Sequence, residues 1–262
     1  MVLICYGKFL SLYNPNPHTM NEDLNNLHYA PVREYNYAEC FEDIQYNGKT
    51  LSMSERKAFI SGIDSFLSED LELLSIIKEG VDLSCGDDEY HQLLKTYYSF
   101  FMFTTLARID IMVFSKYFLL ANNNYEKRIM RGKLKVILNE SFKKIYGFNK
   151  SSDKKTEWHK LQRFLRFFPE VINCQYQELT SLLDKKSKGF TWWKEERNAE
   201  THLDAEALYI SREEVIIESK VMTETANLLG VLRAVNSFLW NIHACILNDL
   251  ITKYLRGELK EE

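Results

Sequence analysis

From Leu51 onward, apolar side chains recur every three to four positions, the period of a helix with one face in a core. Ser52 or Ser54 can cap a first helix. Its apolar positions, Phe59, Ile63, Phe66, Leu67, Leu71, Leu74 and Ile77, carry the period to Gly80, which reads as a stop. A second helix is predicted from about Asp88 to Ala121, closed by Asn122-Asn123-Asn124. Between Lys95 and Lys116 its only charges are Arg108 and Asp110, so it is apolar nearly all round and reads as the central helix of a bundle. A membrane span is the other reading of such a run, but two charges, three threonines and two serines within it speak against that.

Further helices are predicted over 125–146, ending at Gly147, over 155–168, closed by Pro169, and over 170–186. Beyond Gly189, another is predicted over 191–209 with Thr191 as its cap. The longest is the last, from Ser219 to about Arg256. Its seam of Val221, Leu228, Leu232, Val235, Leu239, Ile242, Ile246 and Leu250 advances in steps of three and four, and suits a bundle core or a dimer interface equally. No repeat of 20–50 residues marks a solenoid. Residues 1–50 differ. They hold Pro15, Pro17 and Pro31, three of the four prolines, and many tyrosines without a helical period. The expected architecture is all-α, an up-and-down helical bundle over 51–262 with an irregular N-terminal arm, 1–50, packed on it.

Composition agrees with that plan. The 262 residues hold ten Gly and four Pro, against roughly 30 expected from average usage, which argues for long helices with few connections. Hydrophobic residues at 45% and charged residues at 27% exclude disorder and low complexity. Cys5, Cys40, Cys85, Cys174 and Cys245 are odd in number and scattered, with no C-x-x-C pair, the pattern of reduced thiols in a cytoplasmic protein. The start, MVLICYGKFLSLYNPNP, lacks the basic n-region and small-residue cleavage site of a secretory signal.

The net charge of −4 argues against a protein coated with positive charge for nucleic acid, but the balance is uneven. Asn21 to Glu72 carries 11 acidic and four basic residues. Lys143 to Arg166 carries eight basic residues, Lys154, Lys155, Lys160, Arg163 and Arg166 among them, against Asp153 and Glu157. Trp158, Phe164, Phe167 and Phe168 are interleaved. Such a tract is a solvated face, or a track holding a single nucleic-acid strand by charge and stacking.

Several chemistries are missing. There is no phosphate-binding loop, no G-x-G-x-x-G, no G-x-S-x-G and no H-E-x-x-H, and Asp88-x-x-His91 is a poor match to the Glu-x-x-His of di-iron bundles. One constellation remains. In WWKEERNAETHLDAEALY, Arg197 is followed by Asn198 and, five positions on, by His202. Histidine titrates near neutrality and can move a proton, while the forked guanidinium can grip a phosphate in two places.

Here the chain resembles the HEPN superfamily, helical bundles whose ribonuclease members carry Arg-x(4–6)-His with a polar residue beside the Arg. The motif covers six residues, with a helical context over about 51–256. The resemblance implies a metal-independent endoribonuclease that needs no cofactor. His202 would serve as base or acid at a ribose 2′-hydroxyl, Arg197 would hold the scissile phosphate, and Asn198 would orient base or phosphate, leaving a 2′,3′-cyclic phosphate. It also implies RNA as substrate, a homodimer, a toxin–antitoxin or antiviral defence setting with an antitoxin or other partner protein, and no membrane. Residues five apart on a regular helix point about 140° apart, so either the helix breaks near Ala199–Leu203 or two protomers build a composite cleft. HEPN dimers favour the second.

Other candidates surround the motif. Glu206, four residues after His202, can hold the imidazole or lie in solvent. Arg108 and Asp110 form a buried pair or join the cleft. Trp192 and Trp193 are core or dimer contacts, or one stacks on a base. His243 reads as a core histidine. The alternative function is a non-catalytic helical module that binds RNA or protein.

Overall fold

The computed structural model describes residues 32–82, 84, 86–147, 156–188 and 216–256, and among them there is no strand. The elements are α1 (Tyr37–Cys40), α2 (Met53–Asp82), α3 (Glu89–Leu120), α4 (Asn124–Ile145), α5 (Glu157–Leu161), a 3₁₀ turn (Leu165–Phe167), α6 (Glu170–Ser187) and α7 (Glu218–Leu255). The fold is an all-α helical bundle.

Local chemistry starts α2, α3 and α4. Ser52 and Glu55 form a reciprocal capping box, in which the Glu55 amide donates to Ser52 Oγ (3.3 Å) and the Ser52 amide to Glu55 Oε2 (2.7 Å). Asp88 accepts from the His91 amide at 3.0 Å, and Asn123 from the Glu126 amide at 2.9 Å. Gly147, at φ +89°, supplies the left-handed residue that stops the chain after α4.

Two sequence expectations are corrected. Gly80 does not stop α2, which continues to Asp82. Its missing side chain makes room for the ring of Tyr98 on α3, since a Cβ on Gly80 would lie 2.2 Å from Tyr98 Cε1. The single helix expected over 155–168 is instead the short α5, a turn, and the 3₁₀ turn. Trp158, Leu161 and Phe164 are spaced by three, and all are buried, which suits the tighter winding. Phe168 is extended, at φ −116° and ψ 159°, as the residue before Pro169 must be.

The centre of the bundle is α7. Phe238 to Ala244 are seven consecutive buried residues, and at 100° per residue they cover every side of the helix. The seam predicted for the last helix therefore lies in the bundle core. α7 packs against α3, α4 and α6, and α3 packs against α2, α4 and α7.

Residues 32–50 run antiparallel along α7 as a strap. The Arg33 amide donates to Asn241 Oδ1 (3.0 Å), the Ile44 amide to Asn227 Oδ1 (2.8 Å) and the Tyr46 amide to Thr223 Oγ1 (3.0 Å), while the Glu218 amide donates to the Lys49 carbonyl (2.9 Å). Asn241 also donates to the Arg33 carbonyl (2.8 Å) and to Gln175 Oε1 (2.9 Å), so its buried amide is fully used. Gly230 lets the strap lie close, because a Cβ there would sit 2.3 Å from the Cys40 carbonyl oxygen.

Candidate functional site

Arg197, Asn198, His202 and Glu206 lie outside the described residues, as do Trp192, Trp193, Lys154 and Lys155. Of the basic tract, Lys160, Arg163 and Arg166 are described, and all three are exposed. Lys160 pairs with Glu157 at 2.8 Å, and Arg166 pairs with Glu89 at 2.7 Å while lying over the Phe167 ring. Lys186 pairs with Asp43 at 2.5 Å. The interleaved aromatics divide: Trp158 and Phe164 are core side chains, Phe168 is half-buried, and Phe167 is exposed.

Arg108 and Asp110 do not pair. Residues two apart on a helix diverge by about 200°. Arg108 turns inward and sets its Nε 3.2 Å from Asp70 Oδ2 of α2, whereas Asp110 is exposed. Burial raises the Asp70 carboxyl to about 6, against the pull of Arg108. Sequence reasoning missed Asp70 as the partner, since nothing local ties it to a residue 38 positions on.

The described histidines have structural surroundings. His243 is buried in α7, 3.0 Å from the Tyr98 hydroxyl through Nδ1, and burial lowers it to about 4. His91 lies 2.6 Å from its capping Asp88, and His159 lies 2.7 Å from Thr156 Oγ1. Among the described residues, no group of three His, Cys, Asp or Glu is placed to hold a metal ion.

Another polar cluster lies where α7 meets α4. Glu224 of α7 sits in the field of Lys220 on its own helix and of Lys135 and Arg131 on α4, and Lys135 is itself buried. Burial pushes the Glu224 carboxyl up to about 7 in spite of those three cations. A carboxyl poised near neutrality can accept or return a proton. Sequence reasoning missed Glu224, which stands among other polar residues (Lys220, Thr223, Thr225) with nothing local to mark it.

The sign of the linkage follows. The folded state keeps a proton on Glu224 that the unfolded chain releases near 4.5, so stability falls as pH rises from 4.5 to 7. Glu224→Gln is expected to flatten that slope and to be more stable than wild type above pH 7 by about 2 kcal/mol, after discounting for solvent screening. Urea midpoints at pH 5 and pH 8 measure it; equal gains at both pH values would contradict the assignment.

Comparison with protein-family models, curated proteins and solved structures finds no match to this chain. No helix among the described residues is long and apolar enough to cross a membrane.

Proposed function

We propose that this chain is a metal-independent endoribonuclease of HEPN type, acting on RNA as a homodimer in a toxin–antitoxin or antiviral defence setting. The observation that carries the reading is Arg197-Asn198 with His202 five positions after the arginine, in a chain whose described remainder is helical. In this reading His202 takes the 2′-hydroxyl proton and the oxygen attacks the adjacent phosphorus. The 5′-oxygen then leaves with a proton, giving a 2′,3′-cyclic phosphate and a 5′-hydroxyl. Arg197 offsets the charge that develops on the phosphoryl oxygens, and Asn198 orients the phosphate or the imidazole. Two protomers facing one another would resolve the divergence of about 140° that a regular helix would impose between Arg197 and His202.

Incubating the purified protein with mixed RNA in EDTA tests the reading. Cleavage to cyclic-phosphate ends, lost in His202→Ala and Arg197→Ala, is the expected result. Intact RNA, or equal cleavage by His202→Ala, overturns it. A second reading, a non-catalytic module that binds RNA or protein, draws support from the basic tract, where Lys160, Arg163 and Arg166 are exposed. Salt-sensitive RNA binding without cleavage is its signature.

A further inference from the structure

Beside the Arg108–Asp70 pair two cavities adjoin, and they differ in chemistry. One, of about 470 Å³, lies between the strap, α2, α3 and α7, and its walls are largely apolar, with Tyr46, Phe59, Ile63, Phe66, Met112 and Leu229 among them. The other, of about 570 Å³, is polar and takes in Arg33, Glu69, Asp70, Glu72 and Asn236. Phe66, Arg108 and Arg233 line both, so the two guanidiniums stand at the junction.

Those guanidiniums hold donors that the fold does not use. Arg108 is 13% exposed and meets Asp70 through Nε; among the described residues its two terminal nitrogens have no hydrogen-bond acceptor. Arg233 is exposed, and among the described residues it has neither a hydrogen bond nor an ion pair. Both side chains line the same two cavities, and Arg108, lowered above all by its burial, is lowered further by the Arg233 charge. Two neighbouring cations with open donor edges are stabilised by an anion between them, and a forked guanidinium matches a carboxylate or phosphate in shape. An apolar cavity within the usual size range of ligand sites opens beside them.

We propose that this junction is a binding site for a small acidic amphiphile. Its carboxylate or phosphate is held by Arg108 and Arg233, and its apolar body fills the cavity among Phe59, Phe66, Met112 and Leu229. The polar recess beyond leaves the headgroup in contact with water. The assignment uses no residue of the Arg197–His202 motif and stands or falls separately from RNA cleavage.

Gly62 supplies a variant that separates binding from folding. It lines the apolar cavity within α2, and a Cβ there would meet nothing within 4 Å. Gly62→Leu therefore extends a side chain into the cavity while raising helix propensity, and it is expected to melt no lower than wild type. The probes are decanoate, below its micellar range, and decanol, which keeps the chain and drops the charge, both followed by calorimetric titration. Decanoate is expected to bind at one equivalent, decanol about tenfold more weakly. Arg233→Ala is expected to lose about tenfold in decanoate affinity, and Gly62→Leu to lose binding altogether. No binding of decanoate, equal binding of decanol, or wild-type affinity in Arg233→Ala or Gly62→Leu overturns the proposal.

Discussion

Replacing Glu218 by alanine is expected to cost about 3–5 kcal/mol of folding stability, because it strips a buried carboxylate from two cations that stay behind. Glu218 opens α7 with its side chain 3% exposed. Arg56, in the first turn of α2, donates to Oε2, and Lys127, in the first turn of α4, donates to Oε1 at 2.6 Å. The Leu51 amide donates to Oε2 at 3.3 Å, and Arg56 donates as well to the Leu119 carbonyl at the end of α3 (3.2 Å). One carboxylate thus ties together the ends of four helices. It also sits at the positive end of the α7 dipole. Burial alone would raise its pKa, yet Lys127, the Leu51 amide and Arg56 hold it below the ordinary 4.5. Its contribution is therefore full above pH 4.5 and is lost as pH falls further. Urea unfolding at pH 7 and pH 4 measures both parts. A loss under about 1 kcal/mol at pH 7 would put this pair in the class of exposed ion pairs.

The contrast between Glu218 and Gly80 shows what a sequence carries in legible form. Helix starts are set by residues three or four apart, so Ser52 with Glu55, Asp88, and Asn123 with Glu126 could be read directly, and the ends of α2, α3, α4, α6 and α7 fall within two residues of expectation. Gly80 carries the same letter as a stop, but its role is a crossing against Tyr98, which only the packing of two helices creates. The strap shows the same limit. Its bonds join Arg33 to Asn241 and Ile44 to Asn227, about 200 residues apart, with no local pattern to announce them. Of the candidate site, the Arg197–His202 spacing is legible because the motif is short. The partner of Arg108 was not, since a buried arginine gives no hint of which distant carboxylate it meets. Glu224 gives no sign in the sequence of its shift, because burial in the packed bundle raises it against the pull of Lys220, Lys135 and Arg131.

Trp158→Ala is expected to destabilise the fold by about 3–5 kcal/mol, and it separates a packing role from a nucleic-acid role for the aromatics of the basic tract. In sequence, Trp158 stands among Lys154, Lys155, Lys160 and Arg163, where a ring can serve as a stacking platform. In the structure it is fully buried, stacked on Tyr176 at 4.9 Å between centroids and tilted against Phe238 of α7 at 5.4 Å. Its indole N–H donates to Thr180 Oγ1 at 3.0 Å, and its carbonyl accepts from the Tyr176 hydroxyl at 3.3 Å. Alanine would leave a cavity where α5, α6 and α7 meet, and Thr180 Oγ1 would lose the indole donor while keeping its own bond to the Tyr176 carbonyl (2.7 Å). A fall in Tm of about 10 °C follows from that cost in a chain of this size. Phe167→Ala supplies the control. That ring is 45% exposed beneath Arg166 and against Tyr90, so its loss should cost about 1 kcal/mol. If Trp158→Ala melted like wild type and bound RNA less well, the ring would be a platform rather than a core side chain. With its surface buried on all sides by Tyr176, Phe238 and their neighbours, it has no free face to offer a base, and the expected loss is of the fold itself.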